Sequence, residues 1–150
     1  MQVMCLFGLG ANHAWVVGSS IVHWASRSAA GRAGSPHLGL QYRRLTLHWY
    51  GKRGMKWGEL MSIIDNNLHS NPAPNILVIQ LGSNDLGILK GKELIELIRL
   101  DVLRIRTLLP NVILVWSEIL PRRYWHVANN HVAVENSRKW VNTAAKKPFS

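Results

Sequence analysis

Ile76-Leu77-Val78-Ile79-Gln80-Leu81-Gly82-Ser83-Asn84-Asp85 is the stretch on which the fold turns. Four bulky apolar residues in a row read as a buried strand, and the Gly-Ser-Asn-Asp that follows reads as an abrupt turn. Pro72 and Pro74 mark where the strand begins. A small residue, a hydroxyl, an amide and a carboxylate thus stand at the carboxyl end of a strand. In open α/β sheets, ligands bind in the crevice beyond such ends.

Working outward, three more strand-like runs flank this one. Ala14 to Ser20 is apolar and closes on Gly18-Ser19-Ser20, and Ile21 to Ala30 suits a helix until Gly31-Arg-Ala-Gly-Ser-Pro36 breaks it. Leu45 to Tyr50 alternates as a second strand and ends in Gly51-Lys-Arg-Gly54; a helix from Lys56 to His69 follows, with Leu60, Met61, Ile64 and Leu68 on one face. Beyond the central strand, Leu94, Ile98, Val102, Ile105 and Leu109 recur every three or four residues, the mark of an amphipathic helix. Val112 to Trp116 is a continuous apolar run, which predicts a strand buried on both faces. Ser117 to Tyr124 reads as a polar exit loop, and Asn129 to Lys146 as a last helix carrying Val132, Val134, Trp140, Val141 and Ala144. Strands alternating with helices predict right-handed parallel units in a three-layer α/β/α sandwich. The 150 residues form one domain, with residues 1–13 as an N-terminal extension.

Composition bounds the function. With 47% hydrophobic and 17% charged residues the chain is globular, and no apolar run approaches the roughly 18 residues of a membrane span. Val3 to Leu9 is apolar, but no Lys or Arg precedes it, so a secretory signal is not expected. The lone Cys5 excludes an internal disulfide and a cysteine zinc site; it reads as a small tolerated side chain, and the expected location is intracellular, in the cytoplasm. His23, His37 and His48 show no ligand spacing, so neither metal nor cofactor is expected. The net charge of +10 favours anionic partners such as nucleic acid, yet the basic residues lie in small groups without a run of five. Of the seven tryptophans, Trp15, Trp116 and Trp140 lie in apolar patterns and are expected in the core.

Three strand ends converge on the crevice, bringing Ser19-Ser20, Gly54 and Asn84. A serine at a strand-to-helix turn presents its Oγ, and a glycine N–H with an asparagine amide supplies donors for a developing oxyanion. Taken singly, each has a plain reading: Ser20 caps a helix, Gly54 makes a turn, and Asn84-Asp85 starts a helix.

Together, Val16-Val17-Gly18-Ser19-Ser20, Gly51-Lys-Arg-Gly54-Met-Lys-Trp57 and Gly82-Ser83-Asn84-Asp85 resemble, in order and separation, the first three sequence blocks of the SGNH or GDSL-type hydrolases. That resemblance covers Ala14 to the C-terminus. It implies a flavodoxin-like sandwich, an ester substrate, Ser20 as nucleophile, and Ser20, Gly54 and Asn84 as the oxyanion hole. The wording of Trp116 to Trp125 is similar to SGNH-like domains of vertebrate retroelement-derived proteins.

Two departures from the family pattern stand out. Ser19 occupies the place of the usual Asp, and no Asp-x-x-His block follows that would supply the base and the acid orienting it. The chain is therefore expected to be a truncated domain, lacking the last strand and weak or inactive as an esterase. Asp65 and His69 lie on a helix before the central strand and read as a surface pair, whereas His126 and His131, after the fourth strand, border the crevice and are the candidates for a substitute base. Without a fifth strand, Val112 to Trp116 becomes an exposed edge open to self-association. The competing reading, from another class, is a non-catalytic basic module that binds nucleic acid or a protein; a third is a fragment without function.

Overall fold

The structure, a computed structural model, describes residues 10–126 and 128–150; Cys5 and the Val3 to Leu9 run lie outside them. The order of elements is β1 (Asn12–Gly18), α1 (Ser20–Ala30), β2 (Leu45–Gly51), α2 (Leu60–Leu68), β3 (Ile76–Gln80), α3 (Gly91–Leu108), β4 (Ile113–Trp116) and α4 (His131–Phe149). Short 3₁₀ turns at Ser35–His37 and Leu40–Arg43 join α1 to β2, and a third at Trp57–Glu59 leads into α2. β1 starts inside the stretch assigned to the N-terminal extension. The long helix expected from Lys56 divides into that 3₁₀ turn and α2. No helix of the described residues is long and apolar enough to cross a membrane.

The four strands form one parallel sheet in the order β2-β1-β3-β4. The chain leaves β1 to one side to make β2 and returns to the other side to make β3. The strand order therefore reverses at the β1/β3 boundary, the switch point where such sheets open a crevice. Gly18 pairs with Gly51 on one side and Gln80 on the other, so β1, β2 and β3 end level.

Because side chains alternate across a strand, the register sorts the sheet into two faces. Trp15, Val17, Leu77 and Ile79 are fully buried on one, beneath Leu60 and Ile64 of α2, Leu94, Ile98 and Ile105 of α3, and Val141 and Ala145 of α4. Trp116 packs there against Trp57 and Phe149, with ring centroids 6.1 and 5.4 Å apart. The other face carries Ala14, Val16, Leu47 and Trp49 and is covered by α1, which sits on β1 and β2. That approach is so close that a Cβ on Gly18 would lie 2.5 Å from both Val22 Cγ2 and the Gln80 carbonyl, so only glycine fits.

Three expectations change. β4 is not buried on both faces: Ile113 and Val115 remain 37% and 39% exposed, because α1 does not reach across β3 to cover them. Trp140 is 47% exposed on the flank of α4, where its ring lies over Gly91 at the start of α3 rather than in the core. Val132, in the first turn of α4, points to solvent. Among the described residues β4 is an outer strand of the sheet.

Candidate active site

Each strand hands a turn to the same end of the sheet. Ser19 follows β1, its N–H reaching the Gln80 carbonyl at 3.4 Å, and the Lys52 N–H after β2 donates to the Gly18 carbonyl at 3.0 Å. Ser117 after β4 donates to the Ile79 carbonyl at 2.9 Å. These bonds carry the sheet register into the loops, which places the segments bearing Ser20, Gly54, Asn84 and Arg122 side by side.

A crevice of about 290 Å³ lies there, lined by Gly54, Ser83 and Asn84 together with Lys56, Arg122 and His126. Gly54 has φ +71 with open space where a Cβ would be, so the turn needs glycine for its backbone conformation rather than for room. Among the described residues its N–H has no acceptor.

Asn84 is held from both ends. Its Nδ2 donates to the Met55 carbonyl at 3.0 Å, and its Oδ1 accepts from Arg122 Nη2 at 3.4 Å. A carbonyl on one side and a guanidinium on the other permit only one orientation of the amide. The second Nδ2 hydrogen has no acceptor among the described residues. Arg122 is held in turn: Nη2 donates to Ser83 Oγ at 2.9 Å and the guanidinium lies 5.6 Å from the centre of the buried Trp125 ring.

Behind this wall, Asp85 accepts the Trp57 N–H at 3.0 Å, tying the turn after β3 to the one after β2. Burial pushes its carboxyl above the ordinary carboxylate range, with Glu59 adding to the rise; the Trp57 N–H and the Lys56 charge pull the other way. Trp57 also donates its Nε1–H to Asp101 at 2.9 Å, so one side chain braces α3 against the same turn. The loop after β4 is fixed by Asn142 of α4, whose amide accepts the Ile119 N–H at 2.8 Å and donates to the Ile119 carbonyl at 3.0 Å.

The structure thus brings Gly54 and Asn84 to one crevice. Ser20 is not among the crevice-lining residues; it is the first residue of α1, half-buried, with Ser19 as the N-cap. Ser19 itself is fully buried, and its Oγ has no partner among the described residues, nor does the side-chain amide of Gln80. Of the two histidines, His126 lines the crevice, while His131 is not among its lining residues and accepts the Trp125 N–H at 3.3 Å on Nδ1. Asp65 of α2 and His69, the residue that follows the helix, are exposed; the His69 ring contacts the Asp65 backbone carbonyl rather than its carboxylate. His48 faces His13 at 3.0 Å and His37 accepts the Leu47 N–H, and no cluster of three His, Cys, Asp or Glu able to hold a metal gathers among the described residues. Arg122 is the residue the motifs did not single out. Its signal was positional, since the loop after β4 must end at the same crevice as the other three.

No family profile matches the sequence, and no curated protein matches it. Solved structures do. A GDSL-like lipase from Bacteroides thetaiotaomicron superimposes with a TM-score of 0.67 at 12% identity, over 91% of this chain and 62% of the lipase. The acetyl xylan esterase AlAXEase gives 0.62 at 14% identity, over 91% and 73%, and the psychrotrophic esterase EstA from Pseudoalteromonas sp. gives 0.59 at 17%, over 91% and 71%. The chain therefore spans less than two thirds of the Bacteroides lipase and has, over that length, the α/β fold of the GDSL-type lipolytic hydrolases.

Proposed function

We propose that this is an ester-hydrolase domain in which Ser20 is the nucleophile and the Ser20 and Gly54 N–H groups with Asn84 Nδ2 receive the oxyanion. The supporting observation is Asn84: its amide is held in one orientation, and it lines the crevice together with Gly54, whose N–H has no acceptor among the described residues. Preorganised donors of this kind stabilise the charge that develops on an acyl carbonyl, and they need no rearrangement to do so.

In the reaction, Ser20 Oγ bonds to the carbonyl carbon while its proton passes to a base; the tetrahedral intermediate collapses, the alcohol leaves with a proton, and water then releases the acid from the acyl-serine. The base is the weak part. His126 is the imidazole at the crevice, exposed and stacked edge-on to Tyr124 at 5.5 Å, with no carboxylate to orient it among the described residues. A serine without an oriented base is a poor nucleophile, and only roughly 10³–10⁴-fold catalysis over water survives the loss of a triad member in a well-built protease. Turnover by these 150 residues is accordingly slow.

One observation favours a second reading, a basic module for nucleic acid. Trp24 is 51% exposed, and the guanidinium groups of Arg27 and Arg53 lie 5.7 and 5.8 Å from its ring, a surface on which a base could stack. Fluorophosphonate labelling of the folded chain, read by mass spectrometry of the modified peptide, separates the two. Modification at Ser20 that disappears in Ser20→Ala supports the hydrolase; a cooperatively folded chain that takes no label sinks it. Binding of a single-stranded oligonucleotide that weakens steeply with salt and is unchanged by Ser20→Ala would promote the second reading.

A further inference from the structure

The crevice holds charge that ester hydrolysis does not call for. Its two permanently charged lining residues, Lys56 and Arg122, are both cations, and neither forms an ion pair among the described residues. The nearby carboxylates are engaged elsewhere: Glu59 holds Lys52 Nζ and the Lys56 backbone N–H, and Asp85 is buried against the Trp57 N–H. The Lys56 ammonium acts on those two carboxylates only through space.

Arg122 is built as a seat rather than left as a solvated charge. One nitrogen, Nη2, makes both of its hydrogen bonds, to Ser83 Oγ and Asn84 Oδ1, and the guanidinium rests near a buried indole. The other guanidinium nitrogens have no partner among the described residues. A guanidinium fixed on one edge with its remaining N–H groups free is preorganised for a carboxylate or phosphate, and such charge-assisted bonds are roughly twice as strong as neutral ones. Leu86 and Ile88 supply apolar wall beside it.

We infer that the crevice takes a small anionic ester, one carrying a carboxylate or phosphate besides the scissile bond. Arg122 and Lys56 receive the anion, and Gly54 and Asn84 face the ester carbonyl. The ester half of this statement rests on the hydrolase reading; the anion seat does not.

Calorimetric titration tests the seat without requiring turnover. The probes are succinanilic acid for a carboxylate, phenyl phosphate for a phosphate, and butyranilide as the neutral counterpart. At least one anion should bind about tenfold more tightly than butyranilide, with the tighter of the two naming the group. Lys56→Gln and Arg122→Gln should each remove most of that preference. Lys56→Gln does so without touching Asn84, so it stands even where Arg122→Gln disturbs the fold. Arg32→Gln, an equal charge loss on the loop after α1, should leave the preference intact. Anions that bind no better than butyranilide, or a preference that Arg32→Gln diminishes as much as Lys56→Gln, overturn the inference. An intact preference in a chain whose Ser20 takes no fluorophosphonate would keep the seat and remove the hydrolase.

Discussion

The two faces of the sheet use the same kinds of residue and are finished differently. On one, Trp15, Val17, Leu77 and Ile79 disappear beneath three helices. On the other, α1 covers β1 and β2 and stops, so Ile76 and Val78 are half-buried while Ile113 and Val115 stand at more than a third exposure. A strand's composition states what it could bury; what the rest of the chain lays over it decides what it does bury. The crevice belongs to the finished side: the turns after β2, β3 and β4 are tied there to α3 and α4 through Trp57, Asp85 and Asn142.

The largest test of this contrast removes the same atoms from each face. Ile79→Ala should cost about 2–5 kcal/mol, because its neighbours cannot collapse into the space. Ile113→Ala, on the open face, should cost less than about 1 kcal/mol, since solvent already occupies part of its surroundings. Urea denaturation of the two variants checks it. Equal costs would mean that the open face is covered in solution.

How much of this was legible follows from where the information sits. α3 could be read from Leu94 to Leu109 because an amphipathic period is written into the chain, and the sheet followed from strands and helices in alternation. Val112 to Trp116 reads as buried on both faces because a continuous apolar run looks the same whether one face is covered or not. Trp140 fits a helical apolar pattern, yet its ring lies against Gly91 of another helix and stays half exposed, a neighbour that the pattern does not name. In the site, Gly54 and Asn84 were legible from their motif and meet in the crevice. Arg122 was not, since its bonds to Ser83 and Asn84 join residues 39 and 38 apart in sequence.

A smaller effect probes how the finished side accommodates a carboxylate. The raised value of Asp85 means that the folded chain binds its proton more readily than the unfolded chain does. Its contribution to stability is therefore greatest when it is protonated and declines as pH rises from the unfolded value, near 3.9, through the raised folded value. Asp85→Asn removes that dependence and keeps an oxygen for the Trp57 N–H. The stability of Asp85→Asn relative to the parent chain should increase between pH 4 and pH 7, measured by thermal or urea unfolding at each pH. A difference that stays flat would mean Asp85 is not effectively desolvated.

The smallest expected change in stability lies on the open face, at Val115. Replacing it with Lys keeps the strand pairing, because Val115 pairs with Val78 of β3 through backbone atoms while its side chain stands partly exposed on the open face. The effect on unfolding should stay within about 0.5 kcal/mol, as for other exposed positions. Association is where the substitution should show. An edge strand with apolar side chains beside it is a template for a second copy, and a charge at its centre is how natural sheets prevent such pairing. Sedimentation velocity across a range of concentrations should find the parent chain self-associating and Val115→Lys shifted toward the monomer. If both sediment as the same monomer, the open face is uncovered but inert. If the substitution instead destabilises the fold by several kcal/mol, Val115 is buried against something in solution, and the contrast between the two faces does not hold.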